Sequence, residues 1–113
     1  MTTIYHNPRC SKSRQTLQLL EEENEEINIV KYLETPPNKA ELKNIIDLLG
    51  VKPSALVRKN EKIWKENFKG KELSQEEIID AMIAHPKLIE RPIVIKDNKA
   101  TIGRPPENIL SIL

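Results

Sequence analysis

Tyr5-His6-Asn7-Pro8-Arg9-Cys10-Ser11-Lys12-Ser13-Arg14 joins a short apolar run (Ile4, Tyr5) to a segment of helical periodicity that is established by Thr16. A strand turning directly into a helix predicts the first half of an α/β unit. The turn carries the chain's single cysteine, Cys10, at or near the helix start. Unpaired backbone N–H groups and the positive end of the helix dipole favour an anion there. Arg9, Lys12 and Arg14 add formal positive charge, and His6 adds more when protonated. Each effect favours thiolate over thiol, the form in which cysteine is a nucleophile. A free cysteine is also a common buried hydrophobe; the basic neighbours and the helix start favour the reactive reading.

Working outward, Thr2 to Tyr5 reads as a strand and Ser11 to about Glu23 as a helix, with Leu17 and Leu20 inside, Thr16 a candidate for the same face, and Ser11 or Ser13 as its cap. Ile27 to Leu33 reads as a second strand. Strand, helix and strand at this length predict a βαβ unit with parallel strands and a right-handed crossover. Thr35-Pro36-Pro37 stops the strand and starts a helix, since proline in a first turn forfeits no hydrogen bond. Leu42, Ile45, Ile46 and Leu49 keep the helical spacing, and Gly50 ends it. Pro53 to Val57 is a short helix, and Ile63, Trp64 and Phe68 form an irregular apolar patch. Ser74-Gln75-Glu76-Glu77 is a capping box opening a helix that buries Ile78, Ile79, Met82 and Ile83 and stops at His85-Pro86. Ile93-Val94-Ile95, the turn signal Asp97-Asn98 and Lys99 to Ile102 predict an antiparallel hairpin. Glu107 to Leu113 closes the chain as a short helix.

These elements define an α/β fold: a thioredoxin-like, four-stranded mixed sheet, with a helical insertion at about residues 36 to 85 between the βαβ and ββα halves. The whole chain, residues 1–113, reads as one domain. In that plan a thiol stands at the first helix start and a cis-proline precedes the third strand. Pro92 occupies that position, so the Arg91–Pro92 bond is predicted cis.

Composition narrows the function. The formal net charge of +1 argues against a general nucleic-acid binder or membrane-surface protein. No apolar run reaches membrane-spanning length and no signal-like N-terminus is evident, so the expected location is cytoplasmic. One cysteine and two distant histidines are too few for a metal site, and no glycine-rich nucleotide loop is present, so no bound cofactor is expected. Cys10 with Ser13 makes a C-x-x-S spacing, so an internal dithiol is excluded. Thr16 excludes the Cys-x5-Arg phosphatase loop. An oxidised Cys10 therefore needs a thiol from another molecule.

Arg58, Arg91 and Arg104 each lie at an element boundary. Guanidinium groups match tetrahedral oxyanions through paired donors. On spacing alone, a surface charge or a helix-end cap is the better reading of each. His6 reads equally as a hydrogen-bonded turn residue or as support for the thiolate.

His6 to Arg14 resembles the active-site loop of glutaredoxin-dependent arsenate reductases. Tyr32-Leu33-Glu34-Thr35-Pro36-Pro37, Leu56-Val57-Arg58-Lys59-Asn60, Glu90-Arg91-Pro92-Ile93-Val94 and Ile102-Gly103-Arg104-Pro105 are also similar to that family, in order along nearly the whole chain. The resemblance implies that Cys10 attacks arsenate and that Arg58, Arg91 and Arg104 bind the oxyanion. It implies that glutathione, as co-substrate, attacks the adduct and that glutaredoxin reduces the mixed disulfide. His6 matches a loop histidine that lowers the thiol pKa, and Asn7, Ser13, Arg14 and Pro92 enter as supporting residues. With Leu113 so close behind Arg104, the chain is similar to the family's short, often housekeeping branch. Two rival readings are a glutathione-linked reductase of another oxyanion or of disulfides, and a non-catalytic stress regulator that engages RNA polymerase. Ser13, where such regulators commonly carry a second cysteine, speaks against the latter.

Overall fold

β1 (Thr2–His6) alternates buried and half-buried side chains, with Thr2, Ile4 and His6 buried. It is a central strand in the computed structural model, which describes every residue from Met1 to Leu113. It pairs in parallel with β2 (Ile27–Lys31), His6 opposite Lys31. On its other side it pairs antiparallel with β3 (Ile93–Lys96), and β3 pairs antiparallel with β4 (Lys99–Ile102). The four strands run in the order β2-β1-β3-β4. The predicted mixed sheet is therefore present. The Arg91–Pro92 bond is cis as expected, and Arg104–Pro105 is cis as well, which no sequence signal announced.

The chain divides into two compact units. The first comprises Met1–Thr35 and Arg91–Leu113, the second Pro36–Glu90. In the first, α1 (Ser11–Glu22) and a closing 3-10 helix (Pro106–Ile112) pack against the sheet. Ile4, Leu20, Val94 and Ile109, all fully buried, form the core between them. Burying each is worth roughly 1.5–3 kcal/mol. β2 stops at Lys31 rather than Leu33. The Lys31 carbonyl accepts the amides of Glu34 and Thr35, both at 2.9 Å, so the chain turns there.

The second unit is helical: α2 (Lys39–Leu49), α3 (Pro53–Leu56), α4 (Lys62–Asn67), α5 (Gln75–Ala84) and a 3-10 turn at Pro86–Leu88. Pro36 and Pro37 do not open α2. Asn38 caps it, its side chain accepting the Glu41 amide at 2.8 Å while the Glu41 carboxylate accepts the Asn38 amide at 3.0 Å. Asn38-x-x-Glu41 was the signal, masked by the prolines before it. Gly50 ends α2 with φ of 68°, as the αL stop requires. The predicted box at Ser74 and Glu77 opens α5. The patch at Ile63, Trp64 and Phe68 is ordered by α4, with Trp64 and Phe68 ring centroids 5.3 Å apart. Lys39 bridges α2 to Glu76 and Asp80 of α5 at 2.7 and 2.9 Å.

Candidate active site

The loop between β1 and α1 is a turn that its own residues specify. The Asn7 carbonyl accepts the Cys10 amide at 3.0 Å, and the Asn7 side chain accepts the Arg9 amide at 3.0 Å. Asn followed by Pro is favourable at the first two positions of such a turn. Cys10 follows as the N-cap of α1, its side chain making no capping bond and no acid standing in the first turn. Neither Ser11 nor Ser13 is the cap. Ser13, fully buried, turns back: its Oγ lies 2.6 Å from His6 Nδ1 and accepts the Asn7 amide at 3.0 Å. Ser13 thereby ties the end of β1 to the first turn of α1.

Cys10 is 8% exposed. Burial pushes its thiol pKa up. The Ser13 backbone N–H, a hydrogen bond and charge from Arg91, and the charge of Arg104 outweigh that and hold it below the ordinary thiol value. Arg104 donates from Nη2 to Cys10 Sγ at 3.4 Å and from Nε to the Arg91 carbonyl at 2.8 Å. The activating charges thus come from the far end of the chain. Arg9, Lys12 and Arg14, which the sequence nominated, are not among them; Arg14 donates instead to the Pro8 carbonyl at 3.0 Å. His6 is corrected as a source of positive charge. Its burial, then Lys31 and Arg14, lower its pKa and favour the neutral ring. It serves as the hydrogen-bonded partner of Ser13.

A cysteine at a helix N-terminus with two guanidinium groups beside it is an arrangement that favours the charged form of the thiol and suits an anion. A family model, the ArsC family, matches residues 5–112. The chain belongs to the ArsC family. An arsenate reductase of Neisseria meningitidis serogroup A is 45% identical over 112 residues, covering 97% of this chain and 96% of that one. The uncharacterized protein YfgD of Escherichia coli K12 is 51% identical over 112 residues, with 97% and 94% covered. The solved structure of an arsenate reductase from Vibrio cholerae superposes with a TM-score of 0.94 at 48% identity, covering 99% of this chain and 97% of that one.

Of the other residues singled out in this ArsC chain, Arg58 lies in the second unit. Its amide donates to the Leu88 carbonyl at 2.7 Å, beside the bridge between Val57 and Ile89. Its side chain, 14% exposed, lies 3.7 Å from a Glu61 carboxylate oxygen and 3.8 Å from one of Glu90. It is no surface charge. Pro92 is buried, and its carbonyl accepts the Gly103 amide at 2.9 Å. Sequence reasoning allowed Thr16 on the inner face of α1, where it is buried, but gave neither it nor Gly103 a part in the site. Thr16 Oγ1 is 2.8 Å from the Lys12 carbonyl and 3.4 Å from that of Gly103. A Cβ on Gly103 would come within 2.5 Å of Thr16 Oγ1 and 2.9 Å of Pro92 Cγ. This close approach seats the segment carrying Arg104 against α1. A glycine directly before a candidate arginine was its only trace in the sequence.

Proposed function

We propose that this ArsC chain reduces arsenate to arsenite in the cytoplasm, with glutathione and glutaredoxin as electron donors. The observation that carries the reading is geometric: Arg104 Nη2 donates to Cys10 Sγ at 3.4 Å, at a helix start that no side chain caps. Cys10 Sγ attacks arsenic, a sulfur–arsenic bond forms and an arsenate oxygen leaves as water. Arg91 and Arg104 offset the oxyanion's charge and bind the adduct. Amides at the start of α1 contribute donors to the same oxygens.

A glutathione thiolate then attacks the Cys10 sulfur. The sulfur–arsenic bond breaks, and its electron pair passes to arsenic, which goes from the pentavalent to the trivalent state and leaves as arsenite. The two sulfurs are left as a mixed disulfide. Glutaredoxin takes up the glutathionyl group by thiol exchange and returns Cys10 to its starting state. A single-cysteine chain requires such an outside thiol.

The test is arsenite production from arsenate, glutathione and glutaredoxin with a system that recycles oxidised glutathione. Arsenite formed by the protein and lost in Cys10→Ser supports the reading. No arsenite, or turnover that survives Cys10→Ser, overturns it.

A further inference from the structure

A cavity of about 250 Å³ opens in the first unit beside the thiol loop, lined by His6, Asn7, Pro8, Arg9, Lys31, Leu33 and Glu34. It lies at the carboxyl ends of the parallel pair β1 and β2, where His6 and Lys31 are register partners. Open α/β sheets bind ligands outside the carboxyl ends of their strands. The oxyanion chemistry takes place elsewhere, since the residues that press on the thiol, Arg91 and Arg104, are absent from this wall.

The lining has a definite charge pattern. Arg9 and Lys31 supply two cations, Glu34 one anion, and Pro8 and Leu33 an apolar patch. No ion pair within the protein engages Arg9, Lys31 or Glu34. Two unpaired cations and one unpaired anion complement a ligand with two carboxylates and one ammonium. Glutathione carries that set. Position agrees with charge: Arg9 adjoins Cys10, about 3.8 Å away along the backbone, and an extended tripeptide spans roughly 10 Å. Cys10 itself is not part of the lining; a tripeptide anchored at Arg9 has the length to extend its central thiol toward the next residue.

We infer that this cavity is the docking site for the glutathione moiety, with Arg9 and Lys31 receiving its carboxylates and Glu34 its ammonium group. The inference rests on the glutathione step proposed above. It assigns a use to residues that the oxyanion chemistry leaves idle.

The experiment separates docking from chemistry by using two disulfides on the reduced protein. Mass spectrometry follows mixed-disulfide formation at Cys10 with glutathione disulfide and with 2-hydroxyethyl disulfide, which carries no charge. In the doubly reversed variant Arg9→Glu with Lys31→Glu, the rate with glutathione disulfide is expected to fall about tenfold while that with 2-hydroxyethyl disulfide holds within twofold. Glu34→Lys is expected to show a smaller loss of the same selectivity. Equal falls with both reagents, or no fall with either, overturn the docking site. A binding readout independent of thiol reactivity is the amide spectrum of the Cys10→Ser protein titrated with S-methylglutathione. Shifts confined to residues 31 to 34 and the thiol loop support the site, and shifts elsewhere or none overturn it. Charge-selective exchange without arsenite production would leave the dock standing and remove the arsenate reading. Arsenite production without charge selectivity would do the reverse.

Discussion

The start of α1 and the starts of α2 and α5 are built in opposite ways. α2 and α5 are sealed by reciprocal capping boxes, Asn38 with Glu41 and Ser74 with Glu77, and acids sit in their first turns. α1 begins at Cys10 with no side-chain cap and no acid in its first turn. A capping box satisfies orphan amides and places a carboxylate against the dipole, which stabilises the helix and leaves nothing for a ligand. α1 forgoes that stabilisation, and its amides and dipole act on the thiol and on whatever anion meets it. α3 and α4 also start without a side-chain cap, but they are short; among the three long helices α1, α2 and α5, α1 is the one with an open start.

Cys10→Ser breaks the comparison most severely. It is expected to lower arsenite formation by at least about three orders of magnitude, since a hydroxyl at this position has no base to activate it. Serine is also a preferred N-cap residue, so the thermal midpoint is expected to hold or rise. A large fall in that midpoint would show that Cys10 is a packing residue.

Arg104→Leu comes next. It removes a donor and a charge from the thiolate, and a loss of roughly 10²-fold in kcat/KM for arsenate is expected. The sign for the thiol follows from the same contact. Loss of the cation disfavours the charged form, so the pH midpoint of iodoacetamide alkylation moves up toward the ordinary thiol value. An unmoved midpoint would mean that Ser13 and Arg91 hold the thiolate without Arg104.

Gly103→Ala acts on placement rather than charge. The new methyl meets Thr16 Oγ1 and Pro92 Cγ, and the strain is expected to cost about 1–3 kcal/mol in urea unfolding. Thr16→Ala in the same chain removes the nearest clash and is expected to recover part of the loss. No recovery would place the strain elsewhere.

Ser74→Ala in the helical unit gives the smallest effect. Loss of its cap is expected to cost about 1 kcal/mol of stability and to leave the alkylation midpoint of Cys10 where it was. A shifted midpoint would contradict the separation between stabilising and reactive helix starts.

The same contrast explains what was legible in the sequence. The capping box at Ser74, the stop at Gly50 and the strand-turn-helix around Cys10 are short-range patterns in which every interacting group lies within a few residues, and these were read as they stand. The α2 cap was missed although it is equally local, because Pro36 and Pro37 offered a competing start. The basis of the thiol's activation was misread for a different reason. Arg9, Lys12 and Arg14 are near Cys10 along the chain, but nearness in sequence does not aim a side chain: Arg14 turns to the Pro8 carbonyl, and all three are exposed, as Arg104 is. Arg104 is 94 residues away and reaches Sγ itself.

The cis bond before β3 was expected from the thioredoxin-like plan, but the order of apolar runs, breakers and caps was enough to determine the mixed sheet and the position of its thiol. Those features depend on periodicity and on local backbone chemistry. Tertiary structure alone decided which charges meet the thiol, that His6 is buried, held below its usual pKa and bound to Ser13, and that Gly103 must be bare to admit Thr16. Each of these depends on burial and on distances between segments remote in sequence, and the energy of a charge or a close contact is set by its surroundings in space rather than by its neighbours along the chain.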